Sequence, residues 1–263
     1  MIKDITLGQY YPGNSILHRA DPRVKIILTI TYMMVLFLVK TYAGFFMFGL
    51  FTLMIILSSG VPLMFTLKGL KPVVFIVAFA AIINIFTTPG NVMVEAGPFK
   101  ITVEGLLIAG KMALRLSMLI IGASLLTLTT TPILLTDGIE KLMAPLKKIG
   151  VPAHEIAMMM SIALRFIPTL LDETEKIMKA QAARGADFDT GNIVQRAKSF
   201  VPVLVPLFVS AFRRADELAL AMESRCYRGS EGRTRMKQLK LGIADLQISV
   251  VMLAFSVFVI YFQ

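Results

Sequence analysis

The chain has 263 residues, of which 56% are hydrophobic and 17% charged, whereas roughly a quarter are charged in an ordinary soluble domain. With a mean hydropathy of +0.73, this composition excludes a disordered chain, and the single cysteine, Cys226, excludes an internal disulfide. The formal net charge of +10 would suit nucleic-acid binding. Basic residues on so apolar a chain more often flank membrane spans on their cytoplasmic side, so no nucleic acid is expected.

Five charge-poor segments predict transmembrane helices, because a spanning helix needs about 20 mostly apolar residues. In chain order they are 26–39, 41–67, 72–94, 105–130 and 246–263. The first is short unless Lys25 and Lys40 reach outwards to the interfaces. We expect Gly60-Val61-Pro62 to end the second and the turn Thr88-Pro89-Gly90-Asn91 to close the third. Residues 1–23 carry charges and lack an apolar core, so no cleavable signal peptide is expected.

The distribution of basic residues near the span ends predicts the orientation. Lys40 and Lys100 fall on one side of the membrane in this arrangement. The other side receives Lys3, Arg19, Arg23, Lys25, Lys68, Lys71, Lys141, Lys147, Lys148, Arg233, Arg235, Lys237 and Lys240. The chain is therefore predicted to be an all-α membrane protein of the cell membrane with a cytoplasmic amino terminus. Residues 1–130 form a membrane domain of four spans, 131–240 a cytoplasmic helical domain and 241–263 a final span.

Two further apolar runs leave a seven-span arrangement open as an alternative. They cover residues 156–171 and 200–212. Arg165 and Pro168 interrupt the first run, while the second is short and contains two prolines. Neither run has the composition of a comfortable lipid-facing helix.

The cytoplasmic domain is expected to contain three helices, two of them long and amphipathic. The first spans about 132–148, and apolar residues at helical spacing predict the long helices over 153–184 and about 206–228. Both long helices place arginine in the last turn before a glycine, at Arg184-Gly185 and Arg228-Gly229. Such an arginine complements the helix dipole, and glycine suits the left-handed position that follows. The apolar stripes either pack the helices together or bind a partner, and the arginines either serve only as caps or dock.

Motifs for catalysis and metal binding are incomplete. Residues 105–112 nearly spell a phosphate-binding loop, but Met112 stands where Ser or Thr would bind magnesium. His154-Glu155 begins like a zinc-protease helix, yet Met158 occupies the position of the second histidine. We therefore expect neither enzymatic activity nor a cofactor or metal.

Lys111 and Arg115 lie four residues apart within the predicted fourth span. Charges within a span are costly and suggest function. Alternatively, they mark an interfacial start of the segment, with the span proper beginning near Leu116. Glu104 is the only nearby partner in the sequence if they are buried.

Several short motifs, taken together and in order, resemble the transmembrane T component of energy-coupling factor transporters, which import vitamins and metal ions. The late motifs are residues 163–168, 180–186 and 222–229, of sequence ALRFIP, AQAARGA and MESRCYRG. Earlier motifs are residues 21–25, 130–132 and 144–147, of sequence DPRVK, TTP and APLK. The resemblance therefore extends over nearly the whole chain.

The resemblance implies a non-catalytic scaffold that joins two cytoplasmic ATPase subunits to a separate substrate-binding S component in the membrane. In that family two Ala-Arg-Gly-type motifs end the coupling helices and enter grooves on the ATPases. The matching residues here are Ala183, Arg184 and Gly185, and, less closely, Ser224, Arg225 and Cys226. Because both neighbours of Arg225 differ from that pattern, the second helix is expected to stop at Cys226 or only at Gly229. Residues 131–240 are called the coupling domain below.

An apolar surface for the S component is expected on the two long helices. Its candidate residues are Met158, Met159, Ala163, Phe208, Phe212 and Met222. The alternative function is a secondary transporter that binds substrate within its own spans, with Lys111 and Arg115 as site charges. On the scaffold interpretation another subunit selects the substrate, so the substrate cannot be inferred from this chain.

Overall fold

The computed structural model describes residues 10–96, 99–188, 192–229 and 239–262, which are mostly helical. In the first part of the chain the helices are α1 (Ile16–Arg19), α2 (Pro22–Leu38), α3 (Tyr42–Ser59), α4 (Leu63–Lys68), α5 (Val74–Thr87) and α6 (Val103–Thr129). They continue with α7 (Pro132–Met143), a 3₁₀ helix (Ala144–Ile149), α8 (Ala153–Ala183), α9 (Ile193–Ser224) and α10 (Ile243–Tyr261). The all-α membrane class is therefore confirmed.

Four of the described helices are long and apolar enough to cross a membrane, namely α3, α6, α8 and α10. Of the five predicted spans, α2 and α5 have only 17 and 14 residues. Helix α8 is long and apolar enough to cross a membrane, although the sequence analysis places it in the coupling domain. Its apolar character lies in the half before Leu171, and acidic and basic residues follow.

The turn predicted to close the third span is confirmed, although residues 92–94 of the charge-free run lie beyond it. Helix α5 stops at Thr87, and residues beyond the turn form an antiparallel hairpin of β1 (Val92–Ala96) and β2 (Phe99–Thr102). The charge-free run continues past the turn, but it alternates β-branched residues at Val92 and Val94, which favours a strand. The predicted end of the second span is confirmed, because Gly60 adopts a left-handed conformation (φ +69°) directly after α3.

The described residues divide into two compact units. The membrane unit comprises residues 10–141 and 239–262, and the second unit comprises residues 142–188 and 192–229. Helix α7 belongs to the membrane unit up to Lys141, since a Cβ on its Gly138 would lie 3.1 Å from Pro22. The coupling domain was expected to hold three helices. The second unit contains the two long helices, α8 and α9, whereas most of α7 belongs to the membrane unit.

Aromatic and aliphatic side chains of α2, α3 and α10 form the core of the membrane unit. The buried members are Tyr32, Val35, Leu36, Val39, Phe45, Phe48, Phe51, Met252 and Val259. Helix α6 packs against this core through Gly122, where a Cβ would collide with the Tyr32 ring. The Tyr32 hydroxyl lies 2.9 Å from the Thr52 hydroxyl and donates to the Met118 carbonyl at 3.2 Å. A buried polar group in this bundle therefore has partners within the protein, as a lipid environment demands.

A network of charged groups joins the start of α2 to the start of α10. Asp21 caps α2 and pairs with Arg23 through two hydrogen bonds of 3.0 and 2.8 Å. Its backbone N–H donates to Asp245 at 2.6 Å, and the other Asp245 oxygen accepts from the Gly242 N–H at 2.7 Å. Burial raises the pKa of Asp21, but the hydrogen bonds and charge of Arg23 outweigh burial, so the pKa lies below its ordinary value. Its contribution to stability is complete at neutral pH and is lost only as the pH falls through that lowered pKa.

Replacing Asp245 with alanine should destabilise the membrane unit. Asp245→Ala removes two charge-assisted hydrogen bonds and leaves the buried Asp21 N–H without its acceptor, at a cost of about 3 kcal/mol in the free energy of unfolding. The midpoint of thermal unfolding in detergent should fall accordingly. Glu223→Ala, at an exposed carboxylate on α9, should leave the midpoint unchanged. Equal midpoints for all three proteins would refute the role of this network.

Candidate functional site: two arginine-tipped helix ends

Helix α8 ends at the predicted arginine in a complete Schellman motif. Arg184 is the C-cap, and Gly185 follows with φ of +91°. The Gly185 N–H donates to the Ala182 carbonyl and the Ala186 N–H to the Gln181 carbonyl, both at 3.0 Å. This arrangement satisfies carbonyls at the helix end and leaves the Arg184 side chain exposed.

Helix α9 ends in the same motif, although its sequence differs. Arg225 is the C-cap, and Cys226 takes the left-handed conformation with φ of +55°. The Cys226 N–H donates to the backbone carbonyl of Glu223 at 2.8 Å, and the Tyr227 N–H donates to the backbone carbonyl of Met222 at 3.0 Å. Of the two stops left open by the sequence, the helix uses Cys226, and Gly229 lies beyond it. Arg225, like Arg184, is exposed.

The sequence carried one signal for this earlier stop. A Schellman motif commonly places apolar residues at the third position from the helix end and at the second position beyond it. Met222 and Tyr227 occupy these positions around Arg225. The left-handed conformation costs roughly 1–2 kcal/mol for a residue with a side chain, which is why the glycine at 229 is the more obvious choice from sequence.

Helices α8 and α9 form an antiparallel pair within the second unit. Arg214 and Glu173 form a salt bridge of 2.6 Å, and the Gln181 amide donates to the Pro202 carbonyl at 3.5 Å. Pro206 has no N–H to donate to that carbonyl within the helix, so Gln181 replaces the missing donor. Val203 is buried at 2% exposure.

The antiparallel arrangement sends the two arginines to opposite ends of the pair. Ile162 and Met222 line one groove of about 230 Å³ between the helices, so the α9 terminus lies near the start of α8. Arg184 lies 22 residues beyond Ile162 along α8. At 1.5 Å per residue, Arg184 and Arg225 are separated by roughly 35 Å.

The predicted surface for a partner is divided by the structure into two parts. Met222 faces the groove between α8 and α9. Phe208 and Phe212 are 60% and 68% exposed and continue a stripe with Val201 and Val205, at spacings of three and four residues. On α8, Met159 and Ala163 are exposed and Met158 is half-buried.

The charges of the predicted fourth span lie near one end of the membrane bundle. Arg115 donates to the Val39 carbonyl at 2.6 Å, and Lys111 lies over the ring of Tyr42. Glu104, their expected partner, instead accepts two hydrogen bonds from Asn91. A cavity of about 260 Å³ in the membrane unit is lined mainly by apolar side chains, and neither Lys111 nor Arg115 lines it. Among the described residues, no group of three or more His, Cys, Asp or Glu is placed to hold a metal ion.

These features define a multi-pass α-helical membrane protein with two exposed, arginine-tipped helix ends. The family described as "Cobalt transport protein" (CbiQ) matches residues 13–236. The chain is also similar to proteins named "Energy-coupling factor transporter transmembrane protein EcfT". The protein from Ruminiclostridium cellulolyticum is 64% identical over 263 residues, covering 100% of this chain and 98% of that protein. The protein from Bacillus subtilis is 46% identical over 264 residues, covering 100% of both.

The chain therefore belongs to the CbiQ family and is a T component of an energy-coupling factor transporter. The resemblance inferred from the short motifs is confirmed.

Replacing Cys226 with glycine should stabilise the second unit, and replacing Gly185 with alanine should destabilise it. Glycine adopts a positive φ without steric cost, whereas alanine does not. We expect changes of about 1 kcal/mol in opposite directions in the free energy of unfolding, measured by denaturant titration. Ser224→Gly, one residue before the cap and within the helix, is the matched control and should destabilise. If Cys226→Gly lowered the free energy of unfolding, the positive φ of Cys226 would not carry the energetic cost that we assign to it.

Proposed function

We propose that this chain is the non-catalytic scaffold of the transporter, coupling ATP hydrolysis by two cytoplasmic ATPase subunits to movement of a substrate-binding S component. The observation that carries the proposal is the repeated helix end. Two different sequences, Ala-Arg-Gly and Ser-Arg-Cys, adopt the same backbone geometry and expose the same side chain. The second sequence tolerates a strained cysteine to do so. A cap alone needs neither the arginine nor its exposure.

The separation of the two arginines supports two partners rather than one. At roughly 35 Å apart on opposite ends of the helix pair, Arg184 and Arg225 suit two separate grooves. A guanidinium has five N–H donors in a rigid fork and forms several charge-assisted hydrogen bonds to carbonyl or carboxylate groups. One ATPase subunit at each end would accordingly clamp the helix pair between them.

The orientation in this proposal places the amino terminus and the coupling domain in the cytoplasm. It rests on the excess of basic residues at one set of span ends. The ATPases would then meet α8 and α9 on the side where ATP is available. Uptake of a vitamin or a metal ion is the transport activity proposed for the assembled complex.

A secondary transporter is less well supported by the geometry. Such a protein is expected to hold substrate near the bilayer midplane between its own helices. Lys111 and Arg115 lie instead beside the turn between α2 and α3, and neither lines the cavity of about 260 Å³ described above. Uptake driven by an ion gradient without any ATPase would nevertheless favour that alternative.

Reversing the charge of the two arginines should uncouple the transporter. In the chain co-expressed with its ATPase and S subunits, Arg184→Glu and Arg225→Glu should each reduce ATPase co-purification at least about thirtyfold, because the lost contacts are worth about 2 kcal/mol or more. The double variant should lose ATP-dependent uptake in proteoliposomes. Arg213→Glu, at an exposed arginine within α9, is the matched control and should behave as wild type. Normal uptake by the double variant would refute the mechanism.

A charge in the exposed apolar stripe should impair capture of the S component without affecting the ATPases. Phe212→Glu places a carboxylate on the stripe, where we expect a loss of more than about fivefold in S-component co-purification. Leu220→Glu changes an equally exposed apolar residue (65%), about two turns further along α9 and roughly 80° around the helix from Phe212, and serves as the control. Both variants should retain the ATPases. Equal loss of the S component in both would show that the stripe is not the specific surface.

A further inference from the structure

Lys111 and Arg115 form a pair of cations at one end of the membrane bundle. They lie one turn apart on α6 and share a face. Arg115 Nη2 donates to the Val39 carbonyl at the end of α2, and the Lys111 ammonium lies 5.0 Å from the ring centroid of Tyr42 at the start of α3. Both charges therefore lie beside the turn between α2 and α3.

The pair is not neutralised within the part of the chain that the structure describes. Neither cation has a salt bridge there, and the carboxylate of Glu104 is engaged with Asn91. The Arg115 Nε is buried and has no acceptor. The rings around the pair attract a cation through their faces but carry no net charge. Because unneutralised charges are costly in a medium of low dielectric constant, an anion at this position would be stabilising.

The surface around the pair is apolar and open. Phe37, whose ring centroid lies 5.9 Å from the Arg115 guanidinium carbon, is 60% exposed, and Tyr42 is 42% exposed. Leu107 and Leu114, which flank the pair along α6, are 47% and 41% exposed. In a membrane these side chains face lipid. A water-soluble anion would have to enter an apolar surface, whereas a phospholipid brings a phosphate group together with acyl chains.

We propose that Lys111 and Arg115 bind the phosphate group of an anionic phospholipid in the leaflet that borders the turn between α2 and α3. The guanidinium donates to the phosphate oxygens through N–H groups that Val39 does not use, and the ammonium adds a second positive charge. The acyl chains lie along Phe37, Leu107 and Leu114. On the orientation proposed above, this is the outer leaflet.

The test measures which lipid stays bound to the protein. The full chain is placed in nanodiscs of phosphatidylcholine with a minor share of phosphatidylglycerol, released, and analysed by native mass spectrometry. Wild type should retain phosphatidylglycerol in preference to phosphatidylcholine. Lys111→Gln should reduce this preference about tenfold without affecting folding, because Lys111 contacts only a ring. Arg115→Gln should act in the same direction, and Arg115→Lys should restore most of the preference.

Two controls separate a built site from general attraction. Lys40→Gln removes the same charge from an exposed residue of the same turn and should leave retention within about twofold of wild type. Equal losses in Lys40→Gln and Lys111→Gln would overturn the proposal, as would unchanged retention in the Lys111→Gln/Arg115→Gln double variant. Inorganic phosphate, compared with chloride at matched ionic strength, should not displace the lipid. If it does, the pair binds a free anion and the lipid assignment is wrong.

Discussion

The left-handed residue that follows each long helix fixes where its arginine lies. Without that residue, α8 or α9 would fray or continue, and the guanidinium would have no defined position at the helix end. Gly185 adopts this conformation without strain, while Cys226 is the only non-glycine residue with a positive φ among those described. Equal geometry from unequal sequences indicates that the position of the arginine, rather than the identity of its neighbours, is what the fold preserves.

The proposed coupling role needs helices that are stiff between their ends, although three prolines lie within α8 and α9. Pro168 lies within α8, and Pro202 and Pro206 lie within α9. Each removes a backbone donor, yet both helices run on to their arginines. Cross-helix contacts compensate at least in part, since Gln181 donates to the carbonyl that Pro206 leaves without a partner, and Glu173 pairs with Arg214. The two helices therefore support each other along their shared length.

Sequence reasoning succeeded where local chemistry alone determines the structure. The bounds of α8 followed from periodicity and from Arg184-Gly185, and the end of α3 followed from Gly60. It failed at the start of α9. The apolar spacing placed that start near 206, whereas the helix begins at Ile193 under a capping box of Asn192 and Gln195.

Contacts between residues distant in the chain could not be predicted from local sequence patterns. No periodicity reveals that Asp21 and Asp245, which lie 224 positions apart, meet through a backbone hydrogen bond. Nor does it divide the apolar stripe of α9 into Met222, which faces the groove, and Phe212, which stays exposed. Arg184 was identified from local signals because a helix end is a local structure, whereas Arg225 was singled out by the family resemblance. Their separation required knowledge of how the two helices pair.

The cations of the membrane unit differ in how the protein neutralises them. Arg23 has a carboxylate partner in Asp21, and the Lys25 ammonium donates to the Thr129 carbonyl at 3.0 Å, with further oxygens within 3.3 Å. At the other end of α2, Arg115 has a single carbonyl as its hydrogen-bond acceptor. The protein thus supplies several acceptors for the cations at the start of α2. It supplies a single hydrogen-bond acceptor for Arg115 at the end of α2. The proposed lipid phosphate would supply the missing acceptor beside the turn between α2 and α3, where Arg115 Nε is buried without one.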